Sequence, residues 1–143
     1  MTEDYFIHLQ RITLLAMLVV LGLVLVLVLL GSAHAAVVGE ASWYSVESCK
    51  REGTWQKWGG RMANGEIFDD TRLICAAWDF AFKTRLRITN LENGKTVIVE
   101  VSDRGPSKRL YRQGRILDLS KGAFAQIASL KQGVIKVKVE VLP

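Results

Sequence analysis

The hydrophobic positions of this chain follow two regimes. From Ile12 to Leu30, "ITLLAMLVVLGLVLVLVLL", 19 residues pass without a charge. From residue 39 onward the apolar positions come in short alternating runs, the pattern of half-buried strands. "GEASWYSV" (Gly39–Val46) predicts a first strand. "TRLRITN" (Thr84–Asn90) puts Leu86 and Ile88 on one face and Arg85, Arg87 and Thr89 on the other. Asn93-Gly94 is a strong hairpin turn signal, and "TVIVEVS" (Thr96–Ser102) returns with Val97, Val99 and Val101 together. "GRILDL" (Gly114–Leu119) is a further strand. "SKGAFAQIASL" (Ser120–Leu130) has Phe124, Ile127 and Leu130 at helical spacing behind Ser120 as N-cap. "GVIKVKVEVL" (Gly133–Leu142) alternates again, with Val137, Val139 and Val141 inward. Between the first strand and residue 66 lies a polar, glycine-rich loop, Glu47–Glu66, whose length suggests function. Several short strands and one helix point to a small closed barrel.

The apolar run changes the picture of where the barrel works. It is longer than the core of an ordinary signal peptide and just long enough to span a bilayer. "GSAHAA" follows, with a small-x-small site at Ala33-His34-Ala35. Residues 1–35 are therefore expected to be a signal peptide cleaved after Ala35 or Ala36, or an N-terminal membrane anchor. Residues 36–143 form the exported domain, in the periplasm or cell envelope. That domain carries 18 Lys+Arg against 12 Asp+Glu. A basic exported surface suits anionic wall polymer or lipid headgroups, and the compartment argues against nucleic acid. Cys49 and Cys75 both lie in the exported part. Cysteines in an oxidising compartment tend to pair, and a bridge between them would add about 3 kcal/mol.

Histidine sharpens the chemistry. His8 and His34 are the only two, and both precede the exported domain. That excludes Ser-His-Asp and Cys-His schemes and a histidine-rich zinc site within it; no metal or cofactor is implied. Carboxylates must do any acid–base work. "VEVSDRGPSKR" (Val99–Arg109) ends a strand on an acid, and a turn accounts for much of it, with Gly105 supplying an unusual dihedral and Pro106 rigidity. Trp55 and Trp58 sit in the long polar loop, where an aromatic face suits the C–H face of a sugar; Trp43 reads as core. Lys108, Arg109, Arg112 and Arg115 form a basic stretch.

"GEASWYS", "MANGEIFD", "TRLRITNLENGKTVIVEVSDRGP", "GRILDLSKGAFAQI" and "GVIKVKVEVL" occur in the order and spacing of rare lipoprotein A-like (RlpA-like) domains, which residues 39–142 resemble. The resemblance implies a mainly β fold, a six-stranded double-psi β-barrel with one short helix, related to expansin and barwin domains. It also implies endolytic transglycosylase action on peptidoglycan, leaving 1,6-anhydro-muramoyl ends, with a preference for glycan strands without stem peptides. Carried over, the acid/base aspartate is Asp103, and Glu66 and Asp69 match a second acidic cluster, while Asp70 reads as a solvated charge. Trp55, Trp58, Trp78, Tyr44 and Arg104 are the expected substrate-binding residues. Asp118 of "DLS" is expected chiefly to hold the start of the following helix. Ala77, with Trp78 beside it, stands where the family has an active-site histidine. That departure favours an alternative: a non-catalytic wall-binding or wall-loosening module of the expansin kind.

Overall fold

The computed structural model describes residues 2–30 and 36–143, with side chains in the first segment given for 7, 8 and 10–24. The chain divides into two units, before and after residue 35. The first is a helix, α1 (Thr2–Leu30), whose described apolar side chains are exposed. The apolar run extends past those side chains, and among the described residues no helix is long and apolar enough to cross a membrane. Residues 31–35, on which the signal-cleavage reading falls, lie outside the described residues.

The second unit is a closed six-stranded barrel. Its strands are β1 (Val37–Tyr44), β2 (Ile74–Ala77), β3 (Arg85–Asn90), β4 (Thr96–Asp103), β5 (Arg115–Ser120) and β6 (Val134–Val141), ordered β1-β5-β2-β4-β3-β6 around the wall. Two pairs are parallel, β1 with β5 and β2 with β4, and the other four are antiparallel. Alternation decides what fills the barrel. Leu86, Ile88, Val97, Val99, Val101, Leu117, Leu119, Val137 and Val139 are all buried, as their period of two predicts. Phe124 and Ile127 close one side from helix α5 (Lys121–Ile127). Ser120 caps α5, accepting from the Ala123 N–H at 3.2 Å. The fully buried Asn90 donates to the Ile127 carbonyl at 2.9 Å, tying β3 to the end of that helix.

Three features depart from expectation. Strand β2 has no alternating pattern, because all four of its residues are buried. The long loop contains two helices, α2 (Val46–Arg51) and α3 (Thr54–Trp58), and a third, α4 (Lys108–Arg112), follows the DRGP turn, so the barrel carries four short α-helices rather than one. Ser45 and Ser48 form a capping box at the start of α2. Asp70, expected to be solvated, instead accepts the Val46 N–H at 2.9 Å.

The expected Cys49–Cys75 bridge is absent, and both thiols are free. Adjacent residues of a strand face opposite ways. On β2, Cys75 joins the barrel core, whereas Ile74 joins a separate outer cluster with Met62 and Phe68, and it is this outer cluster that Cys49 packs against. Burial pushes the Cys75 thiol far above its ordinary range and raises Cys49 less.

The outer cluster shapes the loop next to the barrel. Gly60 has a φ of +68°, and a Cβ there would lie 2.6 Å from the Trp55 ring. Gly59, at +60°, has open space around it.

Two outcomes follow from this packing. Without reductant, two thiols titrate in denaturant, whereas Cys75 stays unreactive in the native chain; a mass gain of two hydrogens on reduction would contradict the free-thiol structure. Gly59→Ala costs about 1 kcal/mol of left-handed strain, and Gly60→Ala costs a further 1–3 kcal/mol, roughly, for overpacking against Trp55. Denaturant midpoints of the two variants measure that difference.

Candidate active site

Cross-strand register assembles a polar row on the outside of the barrel. Ser42 on β1 lies opposite Asp118 on β5, Asp118 opposite Ala76 on β2, and Ala76 opposite Asp103 on β4. Register partners share a face, and the neighbours Leu117, Leu119, Cys75 and Val101 fill the interior. The row thus sets two carboxylates on either side of one small side chain. Ser42 donates to Asp118 Oδ1 at 2.5 Å. Gly105 folds over the row: a Cβ there would lie 3.1 Å from the Ala76 Cβ and 3.5 Å from Asp118 Oδ2. A side chain at Gly105 would crowd this close approach, while its φ is not positive.

Asp103 ends β4, and its Oδ1 accepts two backbone hydrogen bonds at 2.8 Å, from the N–H of Ala63 and that of Arg104. Oδ2 receives none from the described residues. The Ala63 bond brings in the "MANGE" segment, a tight turn in which the Met62 N–H donates to the Glu66 carbonyl at 2.8 Å. Burial pushes the Asp103 carboxyl above its ordinary range, although the two N–H donors and the Arg104 charge pull it down. Burial raises Asp118 as well, opposed by the Ser42 hydroxyl and Arg115 and reinforced by the charges of Asp103 and Glu52. Repulsion between two carboxylates is mutual, so each ionisation opposes the other.

Asp103 and Arg104 line a groove of about 580 Å³. Its walls come from the outer cluster and the loop helices, chiefly Tyr44, Trp55, Trp58, Met62 and Phe68. Trp58 is 61 % exposed and offers an open aromatic face. Lys57 lies 4.9 Å from the Trp58 ring centroid, and Lys50 lies 5.3 Å from that of Trp55. The Tyr44 ring stacks on Phe68, with centroids 4.4 Å apart and planes 3° from parallel. One of its faces is therefore occupied, and it serves as wall. Its buried hydroxyl has no hydrogen-bond partner among the described residues, and burial together with the Asp103 charge raises the phenol pKa well above its ordinary value.

The Arg104 guanidinium makes no ion pair with Asp103 among the described residues. Nη1 donates to the carbonyls of Ala77 at 2.7 Å and Phe80 at 3.0 Å, and Cζ lies 3.8 Å from the Phe82 ring centroid.

Other expected site residues do not converge. Glu66 is exposed and pairs with Arg72 at 3.0 Å, which lowers its pKa. Asp69 accepts from the Thr71 N–H at 2.9 Å and the Thr71 hydroxyl at 2.7 Å, and is likewise lowered. Neither lines the groove. The turn meets Asp103 through the Ala63 N–H, so its side-chain carboxylates point elsewhere. Trp78 is also outside the groove lining: its indole N–H donates to the Pro106 carbonyl at 2.7 Å, and Lys108 Nζ sits 3.4 Å from its ring centroid. Ala77 is buried in the core. The residue underrated from sequence is Asp118. Ser120, not Asp118, caps the helix, and the alternation of "ILDLS" already sets Asp118 outward between Leu117 and Leu119.

This fold and site can be set beside known proteins. Residues 36–139 match a family model described as lytic transglycolase. Over 105 residues the chain is 34 % identical to the endolytic peptidoglycan transglycosylase RlpA of Vibrio cholerae, covering 73 % of this chain and 35 % of that protein. The protein of the same name from Pseudomonas aeruginosa is 37 % identical over 103 residues, covering 72 % and 26 %. The match thus spans only about a third or less of these relatives' length. Among solved structures, Streptomyces papain inhibitor aligns with a TM-score of 0.56 and 22 % identity, covering 76 % of this chain and 96 % of that one. A Clavibacter michiganensis expansin solved in complex with cellohexaose gives 0.53 and 20 %, covering 76 % and 51 %. At such identities the likeness shows the fold alone, a barrel shared by proteins of different function. The order of motifs, the closed barrel with its two parallel pairs and the family match over residues 36–139 agree: the chain belongs to the lytic transglycolase family of RlpA-like double-psi β-barrels.

Proposed function

We propose that this protein is an exported endolytic transglycosylase of bacterial peptidoglycan, acting on strands without stem peptides, with Asp103 as its acid and base. The observation that carries the reading is a half-buried carboxyl with a raised pKa at the edge of an aromatic groove, in a chain whose relatives are named for this activity. Protonated Asp103 donates to the glycosidic oxygen between N-acetylmuramic acid and N-acetylglucosamine, and the bond to C1 breaks. As carboxylate, Asp103 then takes the proton of the muramoyl 6-hydroxyl while O6 attacks C1 and closes the 1,6-anhydro ring. The reaction is intramolecular and consumes no water, so the carboxylate that activates water in inverting glycosidases has no counterpart to supply. What the step needs is an acid that keeps its proton near neutral pH. Burial supports this at Asp103, and Asp118 across Ala76 opposes loss of that proton. Trp55 and Trp58 supply faces for sugar rings. The apolar segment at residues 12–30 directs the domain to the cell envelope, by cleavage near Ala35 or by anchoring.

The second reading, a wall-binding module without catalysis, is favoured by Ala77, which puts no acid–base group at the position of the family's histidine. The full chain in detergent, incubated with intact and denuded peptidoglycan, separates the two. Mass spectrometry of the native chain is expected to find anhydro ends that Asp103→Asn abolishes. Co-sedimentation with wall and no anhydro ends would select the binding module.

The raised carboxyls also set pH dependence. A folded state that binds protons more tightly than the unfolded chain is stabilised at low pH, and that contribution is lost as pH rises through the folded pKa. Asp103→Asn, whose amide oxygen can keep both N–H bonds, therefore gains stability relative to the native chain between about pH 4 and neutrality. Melting temperatures across that range test this, and a flat difference counts against a buried acid. Asp118→Asn moves the alkaline limb of the activity profile to lower pH, since it removes a charge that favours protonated Asp103.

A further inference from the structure

Arg104 is built as a cation without a partner. Two backbone carbonyls hold Nη1, and the Phe82 ring lies against the guanidinium plane. The ion pairs found among the described residues are Arg72–Glu66 and Lys138–Glu140, so no carboxylate is in ion-pair contact with it, and Asp103 acts on it only at longer range. Nε and Nη2 donate to no described residue. These two nitrogens form the edge of a guanidinium that grips a carboxylate with two parallel hydrogen bonds. Arg104 is among the residues that line the same groove as Asp103, and it is the next residue in the chain.

A pre-set cation in a sugar groove calls for an anion on the sugar. Homopolymers of glucose or N-acetylglucosamine carry none. The muramoyl residue carries a lactyl ether whose carboxyl is an amide while a stem peptide is attached, and a free carboxylate once it is removed. We infer that Arg104 is a specificity residue that recognises the free lactyl carboxylate of the muramoyl unit bound beside Asp103, and so selects strands without stem peptides. This rests on the peptidoglycan reading above. Stem peptides also carry carboxylates, but these lie many bonds from the sugar ring that Asp103 must reach, so the lactyl group is the assignment made.

The test is binding to the full chain carrying Asp103→Asn, in detergent, followed by tryptophan fluorescence. Four ligands are compared: denuded strands, denuded strands with the lactyl carboxyl amidated, strands with stem peptides, and N-acetylglucosamine oligomers. Denuded strands are expected to bind at least fivefold tighter than the other three. Adding Arg104→Met should bring the ratio of free to amidated strands within twofold. Free and amidated strands binding within twofold to the chain that retains Arg104 would overturn the assignment, as would a ratio that survives Arg104→Met. Tighter binding of stem-peptide strands would overturn it too, moving the anion to the peptide. Should Arg104→Met unfold the loop it holds, the amidation comparison decides with Arg104 in place. Absent anhydro ends with an intact ratio would remove catalysis and leave this recognition standing.

Discussion

One carboxylate oxygen holds the site together. Asp103 Oδ1 accepts the Ala63 N–H from the "MANGE" turn and the Arg104 N–H from its own turn, so both loops flanking the groove hang from the end of strand β4. Charge-assisted bonds to backbone N–H groups are stronger than neutral ones, and here both go to the same atom. The groove wall follows from this pinning. With the turn fixed, Met62 and Phe68 bury against Ile74, Tyr44 stacks on Phe68, and Trp55 closes over Gly60.

On the proposed mechanism the same carboxyl is both tie and acid, two tasks that pull in opposite directions. A tie is strongest as an anion; an acid must stay neutral. The protein separates them by atom and by environment. Oδ1 takes both bonds, Oδ2 takes none, and burial outweighs the N–H donors in the direction of the pKa shift. Asp118 adds a second carboxylate one strand beyond Ala76, supported by Ser42 rather than by a cation at contact distance. The arrangement resembles other sites in which like charges are kept close so that one proton is retained.

Much of the barrel was legible because β3, β4 and β6 bury one face and wet the other, and that asymmetry writes a period of two. Strand β2 was hidden because it is buried on both sides. Helices α2 and α3 were hidden because no buried residue marks a face on either. In the site, Asp103 was legible as an acid ending an alternating run. The resemblance matched Glu66 and Asp69 to a second acidic cluster, but did not say that the turn would present a backbone N–H to Asp103 while Glu66 turned to Arg72. The cysteine bridge failed on one residue of phase: Ile74, not Cys75, faces the cluster against which Cys49 packs.

The order of strands around the wall has a consequence for how the chain comes to be folded. Strand β1, the first made, pairs with β5 and β6, the last two. Closure therefore joins residues about a hundred positions apart, and such non-local pairing is slow. Until Val134–Val141 are available, β1 and β3 each lack a neighbour and the wall stays open. Under the export proposed above this order has a use: the architecture delays the native state until the final strand has arrived.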